Sequence, residues 1–168
     1  MLATLKVRYV IARHSERRAQ CGETDEVVRD KVDAIYRHAM QPMHCVGETT
    51  GERHRGVTEN KVRRQVAAAL GDRPAEWVAA AVIAYEPLWA SGAGDATTPV
   101  EAEEVYAVIR DELGKLAGAG AAAMVRIQYG GSVTAETSEA LLGAENVNGF
   151  LVGGASLDAE QFAAIVIG

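Results

Sequence analysis

A carboxylate at the end of an apolar run, followed by a loop with stiff ends and a glycine-rich tip, occurs at Ala84-Tyr85-Glu86-Pro87-Leu88-Trp89-Ala90-Ser91-Gly92-Ala93-Gly94. That combination suits a general base beneath a lid. Proton abstraction by a carboxylate needs water excluded once substrate is bound, and a proline-anchored, glycine-tipped loop can close as a nearly rigid flap. Read locally, the segment also fits a strand end that turns into a helix. Two further runs, Val125-Arg126-Ile127-Gln128-Tyr129-Gly130-Gly131-Ser132 and Gly149-Phe150-Leu151-Val152-Gly153-Gly154-Ala155-Ser156, are short and β-prone. Each ends in paired glycines and then a helix-starting serine. Glycine lets backbone N–H groups approach an anion, and a helix N-terminus adds partial positive charge, so each run is a candidate phosphate cradle.

These residues need elements to hold them, and the chain alternates between strand-like and helix-like stretches. Arg8 to Ala12 reads as a buried strand, and Asp25 to Ala39 has helical spacing at Val28, Val32 and Ile35. Pro42 to Val46 is a second strand, after which Thr58 can cap a helix that Gly71 stops. Ala81 to Tyr85 is the third strand, and Thr98-Pro99-Val100-Glu101 combines a capping box with proline at the first helical position. Val125 to Tyr129 and Phe150 to Val152 give a fourth and a fifth strand, while the small-residue tract from Ala117 to Ala123 reads as a loop. Alternation of this kind implies a parallel sheet with helical crossovers. His14, Glu48, Glu86, Ser132 and Gly153 then fall just beyond the carboxyl ends of successive strands, the face on which barrel enzymes build their sites. Ser15-Glu16 looks like the start of a short helix, whose dipole disfavours an imidazolium at His14.

Composition bounds the class of function. A chain of 168 residues, 48% hydrophobic and 24% charged, can bury one sizeable core and reads as a single domain over residues 1–168. A net charge of −6 with dispersed Lys and Arg argues against nucleic acid, although Arg13, Arg17 and Arg18 cluster. The opening residues resemble no signal peptide and no run reaches membrane-spanning length, so the expected location is the cytoplasm. Cys21 and Cys45, without CxxC spacing, are expected to be free thiols.

Five ordered motifs, His14-Ser15-Glu16-Arg17-Arg18, Cys45-Val46-Gly47-Glu48-Thr49, Ala84-Tyr85-Glu86-Pro87, Tyr129-Gly130-Gly131-Ser132 and Leu151-Val152-Gly153-Gly154-Ala155-Ser156, closely resemble those of the triosephosphate isomerase family. The resemblance covers essentially the whole chain. It implies an α/β fold, an incomplete (β/α)8 TIM barrel of five parallel strands with outer helices, in which the family's first three strand-helix units, about 80 residues of roughly 250, have no counterpart. It implies a triose phosphate as small-molecule substrate, proton transfer through an enediolate, no metal and no organic cofactor, and a homodimer as the family's assembly. By resemblance Glu86 is the base and His14 the neutral electrophile, Gly92, Ser132, Gly153 and Gly154 grip the phosphate, and Glu16 is a carboxylate behind the site. Read locally, Glu16 equally fits a surface ion pair with Arg17 or Arg18.

Departures from the family pattern define further expectations. The Asn and Lys that the family's first strand brings to the site are absent, and loss of such a preorganised charge costs about 3 kcal/mol or more of transition-state stabilisation. Arg13 stands where the family has glycine, where it is expected either to crowd His14 or to hold it neutral by repulsion. Ser91 and Ala93 replace an isoleucine and a threonine at the lid tip, and Lys6, Ala39 and His44 replace small or apolar residues. Five strands of an eight-stranded barrel leave two open edges, so the chain alone is expected to have impaired activity. Alternatives are a non-catalytic phosphate-binding half-barrel that needs a complementary chain, and an isomerase of another short sugar phosphate.

Overall fold

The computed structural model describes residues 1–90 and 97–167. Four strands, β1 (Tyr9–Ala12), β2 (Gln41–Val46), β3 (Val82–Tyr85) and β4 (Arg126–Tyr129), form one parallel sheet in the order β1-β2-β3-β4. Ala12 pairs with His44, Val46 with Tyr85, and Tyr85 with Tyr129. The helices are α1 (Ser15–Cys21), α2 (Asp25–Arg37), α3 (Thr50–His54), α4 (Thr58–Leu70), α5 (Ala75–Ala80), α6 (Pro99–Ala117), α7 (Ala119–Met124), α8 (Ala135–Leu142) and α9 (Ala159–Ile167). No helix among the described residues is long and apolar enough to cross a membrane.

Side chains alternate across a strand, and the face turned to the helices carries the core. Val46, Ile83, Tyr85, Ile127 and Tyr129 from the strands join Val62, Val66 and Leu70 of α4 and Tyr106, Ile109 and Leu113 of α6 in one buried cluster. The apolar positions of α6 recur at three- and four-residue intervals, which lays them along one stripe against the sheet. Its start follows the expected pattern, with Thr98 accepting from the Glu101 amide in a capping box and proline in the first turn. The opposite face of the sheet is open at β1, where Ile11 is 50% exposed.

Several expectations need correction. The fifth strand is not a strand. Residues 148–151 run alongside β4, with Asn148 N donating to Ile127 O, Tyr129 N to Gly149 O and Leu151 N to Tyr129 O, but the pairing amounts to one parallel bridge between Tyr129 and Phe150. The sheet thus has four strands rather than five. The tract expected as a loop from Ala117 to Ala123 is mostly helix, because α6 continues to Ala117 and α7 begins after Gly118, whose φ of 83° makes the break. Thr58 lies inside α4 and Val57 occupies the cap without a side-chain bond. Helices α3 and α5 have no counterpart in the sequence reading.

Ala39, in the middle of the α2–β2 connection, adopts φ 56°, a left-handed conformation that costs a Cβ-bearing residue about 1 kcal/mol relative to glycine. Ala39→Gly should therefore raise the thermal midpoint by about 2–4 °C, and an unchanged or lower midpoint in a calorimetric scan would contradict this. Gly47, at φ 155°, lies so close to the next strand that a Cβ would sit 2.0 Å from the carbonyl oxygen of Glu86. Because the obstacle is backbone, Gly47→Ala should destabilise the fold by about 3 kcal/mol, read as a drop in the denaturant midpoint.

Candidate active site

Glu86 follows β3 directly. Its amide donates to Val46 O at 2.7 Å, extending the β2–β3 ladder by one residue and fixing the direction in which the side chain leaves the sheet. That side chain is buried, the residue being 2% exposed. Around the carboxylate stand three polar groups from the β1–α1 segment. The Ser15 amide donates to Oε2 at 2.9 Å, Arg18 Nη2 donates to Oε2 at 3.2 Å, and His14 Nε2 lies 3.1 Å from Oε1. The His14 contact assigns the ring proton to Nε2, since a carboxylate only accepts.

Local structure explains this convergence. His14 is the N-cap of α1 in extended conformation and makes no side-chain cap, so its ring is free to face across to β3. Ser15 is the first helical residue, and its amide is one that no residue within the helix can satisfy. Arg18, one turn on from His14 and Ser15, points the same way and also donates through Nη1 to Gly47 O at 2.8 Å. Burial raises the proton affinity of Glu86 above the ordinary carboxylate range, opposed by His14, Arg18, the Ser15 amide and the Cys45 thiol. Burial, and then the Glu86 charge, pushes the Cys45 thiol well up in turn.

Opposite this pair lie the two glycine loops. A cleft of about 700 Å³ is lined by His14 and Glu86 on one side and by Ser132, Gly153 and Gly154 on the other, with Glu16 at its rim. Gly130 donates its amide to Tyr85 O at 2.7 Å, and a Cβ there would stand 3.0 Å from Glu86 Cγ, so glycine allows the loop to close on the carboxylate. The expectation that a serine starts each following helix is corrected. Thr134 caps α8, and Ser132, an exposed residue, precedes it. Gly153 opens a short 3-10 turn, Gly154–Leu157, with Ser156 N donating back to Gly153 O at 2.9 Å, and α9 starts only at Ala159. The amides available to an anion are those of loops and of this turn.

Of the residues expected at the site, His14, Glu86, Ser132, Gly153 and Gly154 come together. Gly92 and the altered lid-tip residues Ser91 and Ala93 lie outside the described residues. Glu16 pairs with neither neighbouring arginine; its Oε2 lies 3.9 Å from His14 Nδ1, while Arg17 pairs with Glu23 and Arg18 with Glu86. Arg13 does not crowd His14. It adopts φ 65° and sends its guanidinium to Asp25, 2.6 Å away. The part of Arg18 was missed, although its spacing after His14 on one helix was a usable signal. Also missed was the anchor of the loop after Glu86, where buried Glu48 accepts from Trp89 Nε1 at 2.9 Å and from the Tyr85 hydroxyl at 3.1 Å. Arg53 stacks over the Trp89 ring at 4.1 Å and pairs with Glu101 at 2.6 Å.

The pH dependence of stability tests the Glu86 environment. A carboxyl whose proton affinity is raised on folding contributes stability below its unfolded pKa, near 4.5, and that contribution is lost as the pH rises through the higher folded value. Glutamine imitates the protonated form at every pH. The thermal midpoint of Glu86→Gln relative to the parent should therefore climb as the pH rises past the ordinary carboxylate value of 4.5; a flat or falling difference would contradict the assignment.

The family model described as Triosephosphate isomerase matches residues 1–168. The chain is 49% identical over 168 residues to the triosephosphate isomerase of Carboxydothermus hydrogenoformans, covering 100% of this chain and 67% of that protein. It is 50% identical over 162 residues to that of Acetivibrio thermocellus, covering 96% of this chain and 64% of that protein. With the triosephosphate isomerase of Moorella thermoacetica it shares 50% identity over 166 residues, 99% of this chain and 66% of that protein. The chain thus spans about two thirds of the length of these curated relatives. A match over every residue, joined to a parallel sheet that carries His14 and Glu86 at its carboxyl ends, places this chain in the triosephosphate isomerase family.

Proposed function

We propose that the chain carries the base and the electrophile of an aldose-ketose isomerase site, for the interconversion of dihydroxyacetone phosphate and glyceraldehyde 3-phosphate. The observation that carries this reading is the 3.1 Å contact between His14 Nε2 and Glu86 Oε1 on the wall of a cleft whose far side is built from glycine loops. In the proposed reaction, Glu86 takes a proton from the carbon next to the carbonyl. The electron pair moves to the carbonyl oxygen, and His14 Nε2–H hydrogen-bonds the developing enediolate oxygen. The hydroxyl proton passes from the neighbouring oxygen to the former carbonyl oxygen, and return of the proton held by Glu86 to the neighbouring carbon completes the exchange. Burial makes Glu86 a stronger base than an exposed carboxylate, which favours the first step. Its bonds to Ser15 and Arg18 hold Oε2, while Oε1 faces His14, so the His14–Glu86 contact must open for His14 to reach the substrate oxygen and Oε1 the substrate carbon. Amides of Gly153 and Gly154, with Ser132 and with Gly92 from the lid, are proposed to hold the phosphate. Glu16, beside the outer nitrogen of His14, is proposed to influence the ring's orientation.

A second element of the proposal concerns completeness. The relatives are longer by about a third of their length, and β1 leaves Ile11 half-exposed at the open side of the sheet, with Phe162 of α9 41% exposed. We propose that efficient turnover requires strand-helix units equivalent to that remaining third, in the same polypeptide or a separate one, and that the 168-residue chain alone is impaired. In a coupled assay the chain alone should turn over more than about tenfold below a typical enzyme's ~10 s⁻¹, and adding a fragment with the first three units of a related isomerase should raise the rate. Glu86→Gln in the completed enzyme should lose about 100-fold or more. Full activity of the chain by itself, or a Glu86→Gln enzyme as fast as the parent, would overturn the respective part.

A further inference from the structure

Glycine at position 47 meets a spatial demand and at the same time removes a conformational restraint. A Cβ there would strike the Glu86 carbonyl oxygen, and a residue without one holds its φ and ψ less firmly than any other. The strand cannot supply the restraint, because β2 ends at Val46. A side chain supplies it instead. Gln65 of α4, only 1% exposed, accepts from the Gly47 amide through Oε1 at 2.7 Å and donates through Nε2 to the Gly47 carbonyl at 3.0 Å. One primary amide thus answers both the N–H and the C=O of a single residue, as an opposed residue does in an antiparallel ladder. Those two groups belong to the peptide units on either side of the Gly47 Cα, so both torsions are pinned.

The pinned carbonyl has a second donor. Arg18 Nη1 bonds Gly47 O at 2.8 Å, and Nη2 of the same planar guanidinium reaches Glu86 Oε2 at 3.2 Å. A rigid fork with one prong fixed has little freedom in the other, so the direction of the Gly47 carbonyl sets where positive charge stands beside the carboxylate. Gln65 is itself anchored, with His44 Nε2 donating to its backbone carbonyl at 3.1 Å. His44 is fully buried, and burial and then the charge of Arg13 push its pKa down to about 3, so this anchor stays intact where Glu86 titrates. The groups that face the Glu86 carboxyl are His14, Arg18 and the Ser15 amide from the β1–α1 segment and the Cys45 thiol of β2, while the loop after β4, Gly130 to Val133, brings no charged group. Gln65 makes no hydrogen bond to Glu86 among the described residues, so its influence passes through Gly47 and Arg18.

We propose that Gln65 is a positioning residue for Glu86: by clamping Gly47 it aims Arg18 at Glu86 Oε2 and leaves Oε1 turned toward His14. As a role in catalysis this rests on the isomerase reading, but its test is read without substrate. The readout is the titration of the Glu86 side-chain carboxyl in the full 168-residue chain, followed by carbon-13 NMR and assigned by its absence from Glu86→Gln. Gln65→Met has the same length without the amide's donor and acceptor, so it releases the Gly47 carbonyl and with it the guanidinium. Because the Arg18 charge opposes protonation of Glu86, the carboxyl should then titrate higher by about one pH unit, the lower end of what an adjacent opposite charge contributes. In an Arg18→Met background the carboxyl should already titrate higher, and adding Gln65→Met should move it no further, since the route through Arg18 is cut. In the completed enzyme the acid limb of kcat/KM should rise with the carboxyl. Turnover of Glu86→Gln tests the isomerase reading and the titration tests Gln65, so failure of one is told from failure of the other. Gln65→Leu, with the same expectations, serves should Gln65→Met not fold. An unchanged Glu86 titration in the folded Gln65 variant, a shift of equal size with and without Arg18, or a fold that tolerates neither variant would overturn the proposal.

Discussion

An anion placed out of reach of water must be surrounded by donors, and in this protein the anion is Glu86. Everything near the carboxyl ends of the strands serves that requirement. The carboxylate lies in the angle between β3 and the segment that leaves β1, and the donors that meet it come from three kinds of group: a backbone amide at a helix start, a guanidinium one turn further on, and an imidazole at the cap. No single one of these would hold the side chain in one direction. Together they leave Oε1 facing His14 while Oε2 is tied to the helix, so the two oxygens of one carboxylate occupy different environments.

The glycines follow from the same constraint. Bringing β2, β3 and the loop after β4 close to one residue leaves little room for Cβ atoms, so that a Cβ on Gly47 would strike the carbonyl of Glu86 and one on Gly130 would crowd its Cγ. Arg18 links the two ends of this packing, bonding Gly47 O with one nitrogen and Glu86 with another. A residue easily taken for a solvated surface charge therefore belongs to the interior of the site, and the neighbouring Arg13 lies deeper still.

Much of this was legible in the residues themselves, because the signals were local. Helix α2 and the start of α6 were evident from spacing and capping, and the positions of His14, Glu86 and the paired glycines from the ends of apolar runs. What was not legible depended on partners distant in sequence. Arg18 could have paired with Glu16 or Glu86, and only the approach of β3 to α1 decides between them. Glu48 acquires its meaning from Trp89 and Arg53, about 40 and 5 residues away, through tertiary packing rather than pattern. The fifth strand failed because β-propensity alone does not supply a register: residues 148–151 follow β4 closely, yet Gly149, at φ 148°, and the glycine pair that follows leave little pleated length. The alanine-rich tract failed in the other direction, its glycines suggesting a loop where alanine propensity sustained a helix on both sides of Gly118.

The order of the strands has a consequence for how the chain acquires its shape. Because β1, β2, β3 and β4 are neighbours in space in the order in which they occur in sequence, each pairing closes a loop of only about 30 to 45 residues. Contact order is thereby kept modest for a parallel sheet, whose pairings are otherwise slow to form. A ribosome releasing this chain exposes each strand when the one before it is already available as a template, so the sheet can grow during synthesis by addition at a single moving edge. His14 emerges before Glu86, and their contact can form when β3 docks, before the two glycine loops that complete the cleft have been made.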